Sequence, residues 1–177
     1  MGDIKKSGPA QPTKAELVSY AKYLGMDPIA DHDLLWIARD ALLAPLPHDW
    51  SEHFDEEDRV FYFNGDTRES SWTPPYENVY RDVYAVVVKC RNDPHAPATR
   101  DTLDAFRQEL ARLRHDVKRT MDDWKEHQND QGHSFFYNHR TRKSVWRDPR
   151  PAKCDILHLK EKALDCDVSK YQKEAAS

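Results

Sequence analysis

The sequence predicts an α+β protein in which two three-stranded antiparallel sheets are embedded among amphipathic helices. In residues 45–76 and 121–151, aromatic side chains alternate with polar ones and turn residues interrupt the pattern, as in short meanders of strands. Elsewhere, apolar residues recur three and four positions apart, which is the period of a helix. A third of the 177 residues are charged and only 38% are hydrophobic, so several small packing units fit better than one large core.

The chain begins with a helical hairpin after a polar leader. Thr13 and Glu16 have the spacing of a capping box, which starts a helix, and Gly25 is placed to end it. Asp31 is expected to cap a second helix, which Pro45 stops. Together, the predicted units are a disordered leader (1–12), a helical hairpin (13–44), a first sheet (45–76), a helix packed on that sheet (77–91), a linker (92–98), a helix (99–120), a second sheet (121–151) and a C-terminal helix and tail (152–177).

Two of the predicted helices follow from specific patterns of apolar residues. From Tyr76 to Val87 the apolar residues form a helical stripe, although Val86 to Val88 would also suit a strand; the helix is the preferred interpretation. The helix at 99–120 has a short coiled-coil-like seam. Because each small piece buries little surface alone, residues 13–88 are expected to fold as one cooperative unit, with Trp36 and the Tyr80 helix against the first sheet.

The two sheet segments are copies of one pattern. Trp50 and Trp72 lie 22 residues apart, and so do Trp124 and Trp146. In both copies a run of three aromatic residues and an asparagine precedes the second tryptophan at the same distance, and a proline follows that tryptophan by three residues. Each segment therefore resembles the WW domain family, whose members bind proline-rich segments in an extended polyproline conformation.

The WW resemblance assigns a role to each aromatic position. One face of the small sheet is a structural clamp, and because strand side chains alternate, the flanking positions point to the opposite, front face. The expected clamp residues are Trp50, Tyr62, Asn64 and Pro75 in the first copy and Trp124, Phe136, Asn138 and Pro149 in the second. The expected peptide-binding residues are Phe61, Phe63, Arg68 and Trp72 in the first copy and Phe135, Tyr137, His139, Arg142 and Trp146 in the second.

The copies differ in ligand chemistry. His139 and Arg142 match the positions that line the tyrosine pocket of WW domains that bind Pro-Pro-x-Tyr, whereas the first copy has Gly65 in place of the histidine. Residues 46–75 carry eight acidic and two basic residues, a net charge of −6, while residues 121–150 carry five and six, a net charge of +1. The first copy is therefore expected to prefer a basic partner, and the second a neutral or acidic one.

Residues 13–88 resemble a longer unit as well. Leu17–Ala21, Leu24–Pro28, Leu34–Arg39 and Ala44–Pro47 run directly into the first WW copy. Together they are similar to the N-terminal region of the distal-appendage centrosomal protein of 164 kDa. That family region belongs to centrioles and basal bodies, where it recruits a kinase for cilium assembly. The resemblance implies a ciliary or centriolar setting, and a kinase or a cytoskeletal or ciliary protein among the partners.

Other classes of function find no support in the sequence. The sequence contains no Gly-rich phosphate loop and no apolar run of transmembrane length, and the charge balance argues against nucleic-acid binding. We also expect no signal peptide, because the first residues lack its apolar stretch. A zinc site formed by His127, His133, Cys154 and His158 lacks a CxxC pair, and Cys90 with His95 lacks an orienting third group for nucleophilic catalysis. We therefore expect no catalytic residues, metal, cofactor, nucleic-acid partner or membrane partner, and three unpaired cysteines suited to a reducing compartment.

The resulting prediction is a non-catalytic adaptor or scaffold of cilia or basal bodies that binds proline-rich segments through its WW faces. Its expected location is the cytoplasm and cytoskeleton, at a centriole, basal body or cilium. Two alternatives remain open: a structural axonemal or cytoskeletal protein whose WW faces are filled internally, and a nuclear adaptor for transcription or splicing. The sequence leaves the oligomeric state open.

Overall fold

A computed structural model describes residues 10–176, and it divides the chain into two compact units between Ala44 and Pro45. Most of the predicted leader, residues 1–12, lies outside the described residues. The secondary structure combines helices with two three-stranded antiparallel sheets, so the predicted α+β class is confirmed. None of the described helices has the length and apolar character needed to cross a membrane.

The first unit is a helical hairpin formed by α1 (Lys14–Tyr23), a 3-10 turn (His32–Leu34) and α2 (Leu35–Leu43). The capping box is present: the Thr13 hydroxyl accepts from the Glu16 N–H at 3.2 Å, and the Glu16 carboxylate accepts from the Thr13 N–H at 2.8 Å. The expectation for Asp31 is wrong, because its carboxylate makes no cap and accepts from the Asp27 N–H. The buried apolar residues of this first unit are Ala21, Leu24, Met26, Leu34, Ile37 and Ala38.

The second unit contains both sheets, with the same strand lengths and register. The first sheet consists of β1 (Trp50–Phe54), β2 (Val60–Asn64) and β3 (Ser70–Ser71), and the second of β4 (Trp124–Gln128), β5 (Ser134–Asn138) and β6 (Ser144–Val145). Trp50 lies opposite Asn64 in the first hairpin, and Trp124 lies opposite Asn138 in the second. The alternation that the sequence predicts is therefore realised at matching positions.

The first loops of the two sheets reach the same geometry with different residues. The side-chain oxygen of Asp55 accepts from two loop N–H groups at 2.9 Å, and the side chain of Asn129 does the same at 3.0 and 2.9 Å. One residue in each loop has a left-handed backbone, Gly132 with φ +79° and Asp58 with φ +57°. Glycine adopts this conformation without strain, whereas an L-residue with a Cβ atom does not.

Asp58→Gly should therefore stabilise the first sheet, by about 0.5–1 kcal/mol in the free energy of unfolding. Urea unfolding of the full chain measures the change, with Gly132→Ala as the mirror variant, which we expect to be destabilising by about 1 kcal/mol. A destabilising effect of Asp58→Gly would show that the Asp58 side chain contributes more than its backbone strain costs.

The remaining helices form a bundle that sequence analysis did not predict. They are α3 (Glu77–Asn92), α4 (Pro97–Asp123), α5 (Arg150–Lys162), a π-helical segment (Ala163–Val168) and α6 (Ser169–Ala175). Residues 77–91 are thus helical, and the strand alternative does not occur. Helix α3 packs against α4, the π segment and α6, burying Val83, Val87 and Cys90 completely. Packing of α3 on the first sheet, and a cooperative unit at 13–88, stay predictions.

Ion pairs join α4 to α5 along their length. Lys160 is buried and its Nζ lies 2.6 Å from a Glu109 carboxylate oxygen, while the Lys153 Nζ lies 2.6 Å from Asp116. The hydrogen bond from Lys153, joined by one from Arg119, holds the pKa of the Asp116 carboxyl below its usual value. A depressed pKa in the folded state means that the charged carboxylate stabilises the fold.

Asp116→Asn should consequently destabilise the chain at pH 7 by up to about 1 kcal/mol, since the pair is partly exposed to solvent. This stabilisation is present above the unfolded carboxyl pKa of about 3.9 and is lost as the pH falls through the lower folded value. Urea unfolding of both proteins at pH 7 and at about pH 3 measures the effect. A difference between them that stays constant over this range would contradict the pairing.

Candidate peptide-binding surfaces

The front face of the first sheet is a cluster of aromatic rings. Phe61 and Trp72 meet edge to face with ring centroids 6.0 Å apart. The His53 ring stacks on Phe61 at 5.4 Å and meets the edge of Phe63 at 6.1 Å. Edge-to-face contacts of this kind are a favoured arrangement of aromatic rings, and here they hold the front-face rings in one cluster.

The second sheet repeats this cluster and extends it. Phe135 and Trp146 meet edge to face at 6.2 Å, and His127 stacks on Phe135 at 5.6 Å. Tyr137 lies 6.0 Å from His127 and 5.2 Å from His139. The structure thus brings four predicted binding residues of this copy, Phe135, Tyr137, His139 and Trp146, onto one surface.

Both front faces are open. Trp72 is 62% exposed and Trp146 is 68% exposed, values far from those of packed core residues. A cleft lies beside each tryptophan, lined by Phe61, Ser70 and Ser71 with Asp55 in the first copy and by the equivalent Phe135, Ser144 and Val145 with Asn129 in the second. Exposed aromatic rings beside a cleft are the features by which WW domains bind proline-rich segments.

One histidine on each front face was not among the predicted binding residues. His53 lies opposite Phe61 across the first hairpin, and His127 lies opposite Phe135 across the second. Each histidine lies three positions after the tryptophan that begins its strand. Because strand side chains alternate between the two faces, this spacing would have placed both histidines on the front face, opposite the tryptophans. The zinc hypothesis paired His127 with His133 instead. No three His, Cys, Asp or Glu side chains among the described residues lie close enough together to hold a metal ion.

The two predicted arginines lie in the second loops. Arg68 has φ +64° and Arg142 has φ +60°, and their N–H groups donate to the carbonyls of Asn64 and Asn138 at 2.9 and 2.8 Å. Both side chains are exposed. In the first copy a different arginine, Arg59, lies over the Trp72 ring at 5.2 Å, a cation–π contact at the edge of the front face.

The predicted clamp residues differ in how far they are buried. Phe136 is only 9% exposed and the Arg150 guanidinium lies over its ring at 5.3 Å, and Pro149 is buried. Asn64 and Asn138 are buried and hold the second loops, each accepting from two loop N–H groups at 2.8–3.0 Å. The other clamp positions are half-buried, and they are Trp50, Tyr62, Pro75 and Trp124.

Three of the six basic residues of the second copy make ion pairs or hydrogen bonds within the chain. Arg140 pairs with Asp123 at 2.7 Å, and Arg150 pairs with Asp148 at 2.7 Å. Arg147 donates to two backbone carbonyls of the first copy, those of Pro47 and Trp50. The other three basic residues of this copy are exposed, and they are Lys125, Arg142 and Lys143.

The two copies also contact each other. Besides the Arg147 hydrogen bonds, the His48 ring lies 6.4 Å from the Trp124 ring. Tyr76, just after the first sheet, is near Asp49 and near Asp155 of α5; burial, together with these two charges, raises the pKa of its phenol to about 12. The first sheet, the second sheet and α5 are thus parts of one compact unit.

The cysteine considered as a nucleophile is placed for packing. Cys90 is fully buried in α3 facing the helical bundle, and burial raises the pKa of its thiol above the ordinary value. A protonated, inaccessible thiol is a poor nucleophile.

The fold and its surfaces define a protein-interaction module built on WW-type sheets. The WW domain model matches residues 121–149, and the model of the CEP164 N-terminal domain matches residues 6–99, which include the first sheet. Because that second match spans more than half of the chain, the chain belongs to the CEP164 N-terminal domain family. Over 70 residues, 40% of the chain, it is 37% identical to the centrosomal protein of 164 kDa of Mus musculus. The match covers 5% of that relative's length.

Proposed function

We propose that this chain is a non-catalytic adaptor of cilia or basal bodies whose two front faces bind proline-rich segments. The observation that carries the proposal is the pair of open ring clusters, with Trp72 and Trp146 each more than half exposed. Proline rings pack against exposed aromatic side chains that line a groove, and a polyproline helix is already ordered before it binds. The similarity to the mouse centrosomal protein supports the ciliary or centriolar location.

The two faces differ in the ligand they suit. The first copy, with its net charge of −6, has Asp55, Glu57 and Arg59 joined in ion pairs beside Trp72 and further acidic residues around them. This favours a proline-rich segment with Lys or Arg. In the second copy, Tyr137 and His139 lie 5.2 Å apart, and the imidazole is placed to hydrogen-bond a tyrosine hydroxyl of a Pro-Pro-x-Tyr segment.

Fluorescence anisotropy with two labelled peptides tests this division. Trp146→Ala should abolish binding of a Pro-Pro-x-Tyr peptide and spare a Lys/Arg-containing proline-rich peptide, and Trp72→Ala should do the reverse. Each short groove buries less than the ~1,200 Å² of a stable interface, so we expect dissociation constants in the micromolar range or weaker. If neither peptide binds the wild-type chain, the front faces are not proline-binding sites.

Gly65→His provides a gain-of-function control. The N–H of Gly65 donates to the Asp49 carbonyl as that of His139 donates to Asp123, so the two positions are structurally equivalent. A Cβ atom at Gly65 would meet only the Asp49 carbonyl oxygen, at an ordinary 3.7 Å. The variant should therefore give the first copy measurable affinity for the Pro-Pro-x-Tyr peptide, even in a Trp146→Ala background.

Imaging of a tagged chain tests the location. The proposal expects signal at basal bodies, reduced when Trp72 and Trp146 are both replaced by alanine. A nuclear signal would instead favour the nuclear adaptor. Signal at basal bodies that is unchanged in the double variant would assign the location to other surfaces of the chain.

A further inference from the structure

The contact that Arg147 and His48 make between the two WW copies involves no front-face ring. On the second copy it is made by Arg147, which follows Trp146 in the chain, and by Trp124 at the start of β4. On the first copy it is made by His48 and by the carbonyls of Pro47 and Trp50, where β1 begins. Because these positions lie outside both aromatic clusters, one face can be occupied without covering the other.

Arg147 is suited to fixing the two copies relative to each other. Its guanidinium donates to two carbonyls of the same segment, and the planar group makes such paired contacts with less loss of freedom than a lysine would. The ring contact between His48 and Trp124 adds a second point of attachment. Along the chain the two sheets are joined by α3 and α4, which pack against each other, and the two attachment points restrict the remaining rotation of one sheet against the other.

We propose that the docked pair acts as one receptor for a single partner chain that carries two proline-rich motifs, one with Lys or Arg and the other with tyrosine. The proposal rests on the proposed function of the two faces and adds that one partner chain occupies both of them at once. Charge selects the motif for each face: the first copy has a net charge of −6, whereas the second has a net charge of +1 and His139. Because the two faces differ and keep a fixed position relative to each other, a partner must carry both motifs at a matching spacing.

The physical consequence is an affinity that depends on spacing. Once one motif is bound, the second face meets the other motif at an effective concentration that is greatest when the connecting segment matches the distance between the faces. Tethering of this kind strengthens binding by about 10²–10⁴ over a single motif when the geometry allows both contacts. Docked faces should give a defined optimum of linker length, whereas freely rotating faces should give a broad one.

The test uses the full chain and synthetic peptides measured by calorimetry. The basic proline-rich motif and the Pro-Pro-x-Tyr motif are joined in both orders by Gly/Ser linkers of roughly 5 to 30 residues. In at least one order, we expect a linker length at which the joined peptide binds at least about tenfold tighter than either motif alone, with one peptide per chain. Trp72→Ala and Trp146→Ala should each remove this gain.

Arg147→Ala separates docking from simple tethering. It should flatten the dependence on linker length while leaving the affinity for each single motif unchanged. Lys143→Ala is the matched control, because it removes one positive charge from the same hairpin and should keep the optimum. If the single motifs bind but no joined peptide gains affinity, this inference is wrong and the proposed function stands. If the gain survives Arg147→Ala with the same optimum, the Arg147 contact does not set the spacing. If neither single motif binds, both proposals fail.

Discussion

Phe136→Ala should lower the stability of the second sheet by about 3 kcal/mol. The ring is nearly buried on the back face, and its removal leaves a cavity and deprives Arg150 of the surface it covers. A sheet this small has few other apolar contacts, so the loss is a large part of its stability. Hydrogen–deuterium exchange of the amides that join β4 to β5 measures the loss as faster exchange.

Trp146→Ala is the matched control for this prediction, because Trp146 lies on the opposite face and is mostly exposed. Its removal should change the free energy of opening that is calculated from the exchange rates by less than about 0.5 kcal/mol. Equal effects of the two substitutions would contradict the division into a structural face and a binding face.

Val87→Asp should disrupt the helical bundle, with a loss of more than about 4 kcal/mol in the free energy of unfolding. Val87 is fully buried in α3, which packs against α4 and the C-terminal helices, and an aspartate there would be an unpaired buried charge. Urea unfolding followed by circular dichroism of the helices measures the effect.

Ala85→Asp is the control on the same helix, because Ala85 is exposed and the substitution adds the same charge. We expect it to be nearly neutral. A tolerated Val87→Asp would mean that α3 does not depend on the bundle, and would favour the expectation from sequence that this helix is stabilised by the first sheet.

Local pattern predicted much of this fold. The capping box at Thr13 and the helix at residues 77–91 follow from positions near in sequence, and so does the matching of aromatic positions in the two sheets. The two-residue period of strands was enough to place Phe61 and Phe135 on the front. The same rule would also have placed His53 and His127 there.

Contacts between distant segments were not predictable in this way. The bundle of α3 with α4 and α6 depends on which apolar helix faces pack together. The residue pattern of one helix shows its apolar face but not which other helix this face contacts. The hydrogen bonds of Arg147 join residues about 100 positions apart in the chain, and its sequence context is that of an exposed hairpin residue. The net charge of a segment likewise does not show which arginines are already paired, as Arg140 and Arg150 are.

One NMR titration tests most directly whether both aromatic faces are open and bind different proline-rich segments. In a nitrogen-15 spectrum of the full chain, the indole N–H of each tryptophan gives its own signal, and Trp50 and Trp124 serve as internal controls outside the front faces. A basic proline-rich peptide should shift the signal of Trp72, and a Pro-Pro-x-Tyr peptide should shift that of Trp146. Indole signals of Trp72 and Trp146 that stay unchanged at millimolar concentrations of both peptides would contradict the account.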